Sequence, residues 1–165
     1  MRVVEIGSGE PCRNISGCIR MDMHYESEYD EWDIDGKGLP FQPDTVDIFI
    51  SRYAFRHIWN GYEGDLRMAL QQMEKCLRWK GVIIIKDYPE YWDDLGEETH
   101  ELSPQSVKER FTSALKEVQN LEMESFAYDV EQGDYQLWIV KEPGDTLIKH
   151  VDKVLSKVEA DGWSK

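Results

Sequence analysis

The stretch Val3-Val4-Glu5-Ile6-Gly7-Ser8-Gly9 constrains this chain more than any other. A short run rich in β-branched residues ends beside an acid and then meets Gly-x-Gly. Such a pattern reads as a buried strand entering a loop, where a ligand approaches the backbone closely. Glycine permits both the tight turn and the close approach. Taken alone, Gly-x-Gly after a strand also occurs in ordinary turns, so its meaning depends on the residues downstream.

Downstream, strand and helix patterns alternate. Ile19–Met23 reads as a second strand ending near Asp22, and Trp32 and Ile34 mark a small third. The turn residues Pro43 and Asp44 introduce a fourth, Val46–Ser51. Leu66, Ala69, Leu70, Met73 and Leu77 recur at helical spacing, so a helix is expected over Gly64–Trp79. Lys80-Gly81 is expected to end it, before the buried strand Val82–Ile85. Ser103-Pro104 has the form of a helix start, continued by Val107, Phe111, Leu115 and Val118. Met123–Val130 and Tyr135–Val140 read as strands joined by a hairpin turn at Gln132-Gly133-Asp134. A last amphipathic helix is expected over Thr146–Val158. Together these predict an α/β fold with a mostly parallel sheet closed by a C-terminal antiparallel hairpin.

Composition narrows the function classes. The 165 residues suit a single domain, and 41% hydrophobic content can build its core. A formal charge of -14 repels phosphate backbones, so no nucleic-acid partner is expected. That acidity serves solubility or a cationic partner. No apolar run approaches the ~18 residues needed to span a bilayer, and no secretory signal is visible. Cys12, Cys18 and Cys76 lack metal-ligand spacing, so reduced thiols in a cytoplasmic protein are expected, with no metal site.

Ligands in open α/β sheets bind beyond the carboxyl ends of the strands. Glu5, Asp22, Asp35 and His57 all fall at or soon after such ends, and an acid like Asp22 is placed to accept from ribose hydroxyls. Glu-Ile-Gly-Ser-Gly, Asp22, Asp35-x3-Leu39-Pro40-Phe41-x4-Val46-Asp47, Arg56-His57-Ile58 and Leu77-Arg-Trp-Lys-Gly-Val-Ile-Ile-Ile come in that order. This succession, over about residues 3–88, resembles the class I S-adenosylmethionine-dependent methyltransferases, most of all their small type 11 group. The resemblance implies a Rossmann-like fold, S-adenosylmethionine as cofactor and a small-molecule methyl acceptor. Glu5, Gly7 and Gly9 would line the methionine and ribose part of the cofactor, and Asp22 would hold the ribose. Asp35, with Asp33 as its rival, would meet the adenine amine near Leu39 and Phe41. Ser51, Arg52 and His57 would face the transfer site. His57 is the candidate acid-base residue, with Asp87 or Tyr88 next.

The chain departs from that pattern in places. Glu10-Pro11-Cys12 stands where a third glycine is usual, Arg56-His57 replaces Glu-His, and Trp79-Lys80-Gly81 replaces Pro-Gly-Gly. Only Ser8–Gly17 separates the first two strands, and a parallel crossover normally takes about a dozen residues or more. A reduced helical layer on one sheet face is therefore expected: either a second copy or a protein partner covers it, or the cofactor site is degraded. Two other function classes stay open: a methyltransferase-like scaffold without activity, and a nicotinamide-dependent oxidoreductase. The latter wants Gly-x-Gly-x-x-Gly and an acid about 20 residues on, where this chain has Cys12 and an earlier Asp22. Tyr88-Pro89-Glu90-Tyr91-Trp92 is a candidate substrate wall, and the acid-rich Asp93–Glu101 reads as a solvated loop.

Overall fold

A computed structural model of the chain describes residues 2–7, 19–21, 38–59, 63–93 and 98–141. The expected small third strand, the final helix and residues Gly9, Asp22, Asp33 and Asp35 lie outside them. The described elements run β1 (Val3–Ile6), β2 (Ile19–Met21), β3 (Val46–Arg52), α1 (Phe55–Trp59) and α2 (Glu63–Cys76), followed by β4 (Leu77–Asp87), β5 (Glu90–Trp92) and β6 (Thr99–Glu101). The last three are α3 (Pro104–Lys116), β7 (Leu121–Asp129) and β8 (Asp134–Lys141).

Six strands form one sheet in the order β2-β1-β3-β4-β8-β7, and β5 pairs β6 in a separate hairpin. The β2, β1, β3 and β4 neighbours are parallel, whereas β8 runs antiparallel to both β4 and β7. Alternation sorts the side chains by face. One set of registered rows is Val4–Phe49–Ile83–Ile139 and Ile6–Ser51–Ile85–Leu137. These apolar residues share a single buried cluster with Phe55 and Trp59 of α1, Leu66, Leu70 and Met73 of α2, and Val107 and Phe111 of α3. All three described helices thus lie on one face. On the other face Val3, Ile48, Ile50, Val82 and Ile84 are also buried within this single chain.

Helix ends show where local and distant chemistry meet. Ser103 caps α3 as its sequence suggests: its hydroxyl accepts from the Ser106 amide at 3.0 Å, with Pro104 in the first turn. The expected end of α2 at Lys80-Gly81 is corrected, because the helix stops at Cys76. There the Lys141 ammonium, arriving from the end of β8, donates to the carbonyls of Glu74 at 2.8 Å and Leu77 at 2.7 Å. β4 then begins at Leu77 and bulges, since Val46 pairs with Leu77 but Ile48 with Val82. Inside that bulge Lys80 adopts φ +67, and a Cβ on Gly81 would meet the Leu77 side chain at 2.5 Å.

The stretch expected as an acid-rich loop is in part the β5–β6 hairpin, with Tyr91 opposite His100 and Trp92 opposite Thr99. No helix among the described residues is long and apolar enough to cross a membrane.

Candidate functional site

The carboxyl ends of β1, β2, β3 and β4 lie side by side, which is where such a sheet binds its ligands. Gly7 follows β1 with φ +66, and its amide donates to the Met21 carbonyl at 2.7 Å, tying the ends of β1 and β2 together. A Cβ at Gly7 would lie 2.2 Å from that of Ala54. The bare backbone here therefore admits the β3–α1 turn of the protein itself. Ser8 and Asp22 come next in the chain after Gly7 and Met21, so the chain continues from this joined pair of strand ends.

Glu5 is fully buried on the face opposite the helices, and its carboxylate accepts from Arg52 at 2.7 Å. The acid before the glycine turn is thus paired with a cation from the end of β3. Ser51 points to the other face, in the apolar row between Ile6 and Ile85. It is 1% exposed, and its hydroxyl finds no hydrogen-bond partner among the described residues. Leu39 packs in the helix-side core, where Phe41 stands edge-on to Phe49. Of the expected site residues, Glu5 and Gly7 come together at the end of β1. Ser51 lies one strand away on the opposite face, and Leu39 is a core residue.

His57 sits on α1, exposed, with its ring 4.7 Å from that of Trp92 on β5. The Tyr88–Trp92 stretch packs against α1 and the turn before it. Tyr88 lies 5.0 Å from Tyr53, the Arg56 guanidinium stands over the Tyr88 ring, and Tyr91 packs against Trp59. Tyr53 is held in a left-handed conformation, φ +54, and its hydroxyl donates to Asp134 at 2.6 Å. Burial and the nearby Asp134 carboxylate push that phenol well above its ordinary pKa, so it stays protonated.

Asp87, a fallback candidate for base, has a different part. It is fully buried and accepts from the Arg56 amide at 2.9 Å, the Arg56 guanidinium at 2.7 Å and the Tyr88 amide at 2.7 Å. The carboxylate thereby caps the start of α1 and fixes the direction of Tyr88. It is a positioning residue for the helix that bears His57. Burial outweighs the Arg56 charge and pushes the Asp87 pKa up from 3.8 to about 6. A folded-state pKa above the unfolded one means the folded chain holds this proton more tightly. The resulting stability is fully present below pH 3.8 and is lost as pH rises through about 6. A difference of this size corresponds to about 3 kcal/mol. Thermal unfolding between pH 4 and 7 is expected to show this loss in the wild type and not in Asp87→Asn, which cannot ionise. Parallel pH profiles of the two proteins would refute it.

Sequence reasoning misses the Glu5–Arg52, Asp87–Arg56 and Tyr53–Asp134 pairs. The signal for each is an acid near a strand end and a donor at or soon after the end of β3, but the pairing needs the strand order.

No family model matches the chain, and no curated protein matches it. Solved structures do. A SAM-dependent methyltransferase from Aquifex aeolicus superposes with a TM-score of 0.56 at 12% identity, over 86% of this chain and 82% of that one. An S-adenosylmethionine-dependent methyltransferase from Clostridium acetobutylicum gives 0.57 at 9% identity, over 86% and 84%. Geranyl diphosphate C-methyltransferase from Streptomyces coelicolor, solved with Mg2+, geranyl diphosphate and S-adenosyl-L-homocysteine, gives 0.53 at 10% identity, over 84% and 70%. The chain has the fold of the class I S-adenosylmethionine-dependent methyltransferases. At such identities the likeness is one of fold. Within the methyltransferase fold, the β1 turn lies at the joined ends of β1 and β2, while the His57–Trp92 contact lies beyond β3 and β4.

Proposed function

We propose that this chain is a single methyltransferase-like domain that transfers a methyl group from S-adenosylmethionine to a small molecule. The observation that carries this reading is the Gly7 turn joining the ends of β1 and β2 within a methyltransferase fold. The donor set fits such a ligand: a glycine turn runs on to Gly9, and a carboxylate, Asp22, comes just after the adjacent strand. S-adenosylmethionine supplies a methyl group already activated on a sulfonium. Alignment is then the protein's main task, and orientation can contribute ~7–11 kcal/mol to such a step. Gly7 and Gly9 provide the backbone cradle, with Asp22 on the ribose hydroxyls and Asp35 or Asp33 on the adenine amine. Glu5 acts through its pair with Arg52, holding the ends of β1 and β3 in place. The Tyr88–Trp92 wall excludes water from the acceptor side. His57, exposed on α1, takes a proton where the acceptor must lose one.

A second copy or a protein partner over the sheet face that carries none of the described helices belongs to the same reading. The neighbour solved with geranyl diphosphate supports a small-molecule acceptor.

Asp22 gives the test of the site assignment. Hydrogen bonds to a charged group contribute ~1.5–3 kcal/mol each, so losing them from two ribose hydroxyls weakens binding about 100-fold or more. Calorimetric titration of Asp22→Ala with S-adenosylmethionine is expected to show this loss, with thermal unfolding of the free protein unchanged. Affinity equal to the wild type would remove Asp22 from the site.

A further inference from the structure

The β5–β6 hairpin brings three metal-ligating side chains to one face. Its register pairs Tyr91 with His100 and Trp92 with Thr99, and the Asp93 amide donates to the Glu98 carbonyl at 3.0 Å. Asp93 and Glu98 are therefore the next opposed pair. Alternation places them on the same side as Tyr91 and His100. The carboxylates of Asp93 and Glu98 and an imidazole nitrogen of His100 all lie within 4.8 Å of one another. From this we propose that Asp93, Glu98 and His100 bind one divalent transition-metal ion, of which Zn2+ is the best match.

Two like charges opposed across a strand pair destabilise it, and a two-stranded hairpin has little stability of its own. Here the opposed acids close a hairpin of two three-residue strands. A bound cation turns that repulsion into ligation. The mixed donor set selects the ion: one imidazole and two carboxylates suit Zn2+ better than Ca2+ or Mg2+, which take oxygen donors alone. Three protein ligands leave a coordination position for water. The His100 ring is stacked on Tyr91 at 4.9 Å and 17°, which fixes its plane at the hairpin face. The net charge of -14 raises the local cation concentration around the whole surface.

The site is separate from the β1 turn and does not depend on methyl transfer. Its consequence is mechanical. The same hairpin presents Trp92 to His57 and Tyr91 to Trp59, so an ion that closes it also fixes the wall beside α1.

The test is a calorimetric titration of the full chain with zinc chloride in a non-chelating buffer. One equivalent is expected to bind the wild type. Glu98→Gln and His100→Ala are each expected to weaken that binding more than about tenfold, since even partners of metal ligands cost that much when removed. Glu98 is exposed, so Glu98→Gln keeps the test valid if His100→Ala disturbs the Tyr91 stack. No binding by the wild type at millimolar zinc would overturn the proposal. So would binding that persists unchanged in the double variant, which would place the ion on other ligands such as the thiols.

Discussion

Replacing Lys141 by methionine is expected to destabilise the fold by roughly 2–5 kcal/mol, at ~1–3 kcal/mol for each of the two carbonyls left without its donor. Lys141 is 3% exposed, yet its ammonium has four oxygen contacts. Besides the two carbonyls at the end of α2, it lies 3.2 Å from an Asp44 carboxylate oxygen and 3.1 Å from one of Glu74. It also stands 4.9 Å from the centre of the Trp79 ring. A cation at a helix C-terminus complements the partial negative charge of the last carbonyls. Methionine matches the length of the stem but leaves those carbonyls without this donor, while the Glu74 carboxylate keeps only the Asn120 amide at 3.3 Å. Denaturant unfolding is expected to show a lower midpoint with an unchanged slope. A loss below about 1 kcal/mol would place Lys141 among surface ion pairs.

The second large effect is at Gly7. An alanine there must adopt φ +66, which costs roughly 1–2 kcal/mol for a side-chain-bearing residue. Its Cβ would lie 2.2 Å from that of Ala54, so the β3–α1 turn must move. Overpacking of this kind costs about 1–3 kcal/mol more. Gly7→Ala is therefore expected to lose roughly 2–5 kcal/mol in denaturant unfolding. The double variant Gly7→Ala/Ala54→Gly separates the two causes, since it removes the clash and keeps the strained φ. It is expected to recover stability relative to Gly7→Ala alone. If it does not, the contact with Ala54 is not what demands glycine.

Much of the fold is written locally. Val3–Ile6 needs only its β-branched run, Ser103-Pro104 its cap, and Gly133, at φ +71, its turn. The elements that local pattern misplaces are set by partners far along the chain. α1 spans five residues and starts where the Asp87 carboxylate, 31 residues away, meets the Arg56 amide. α2 ends early because Lys141, 64 residues from Leu77, reaches its last carbonyls. Helical spacing continues through Leu77 and gives no hint of that stop. The β5–β6 hairpin hides in an acidic stretch that looks solvated.

The candidate site divides the same way. Glu5 and Gly7 are legible because the motif is contiguous. That Arg52 would occupy Glu5, or that Ser51 would face the helices, emerges only from strand order and the alternation of side chains. Leu39 has the right motif, but its helix-side packing makes it a core residue.

On this reading the turn after β1 serves a working S-adenosylmethionine site. Calorimetric titration of the wild-type chain with S-adenosylmethionine and S-adenosylhomocysteine tests it most directly. One-to-one binding of both is expected, with micromolar dissociation constants. No binding at millimolar ligand would contradict it, leaving a methyltransferase fold that works without its cofactor.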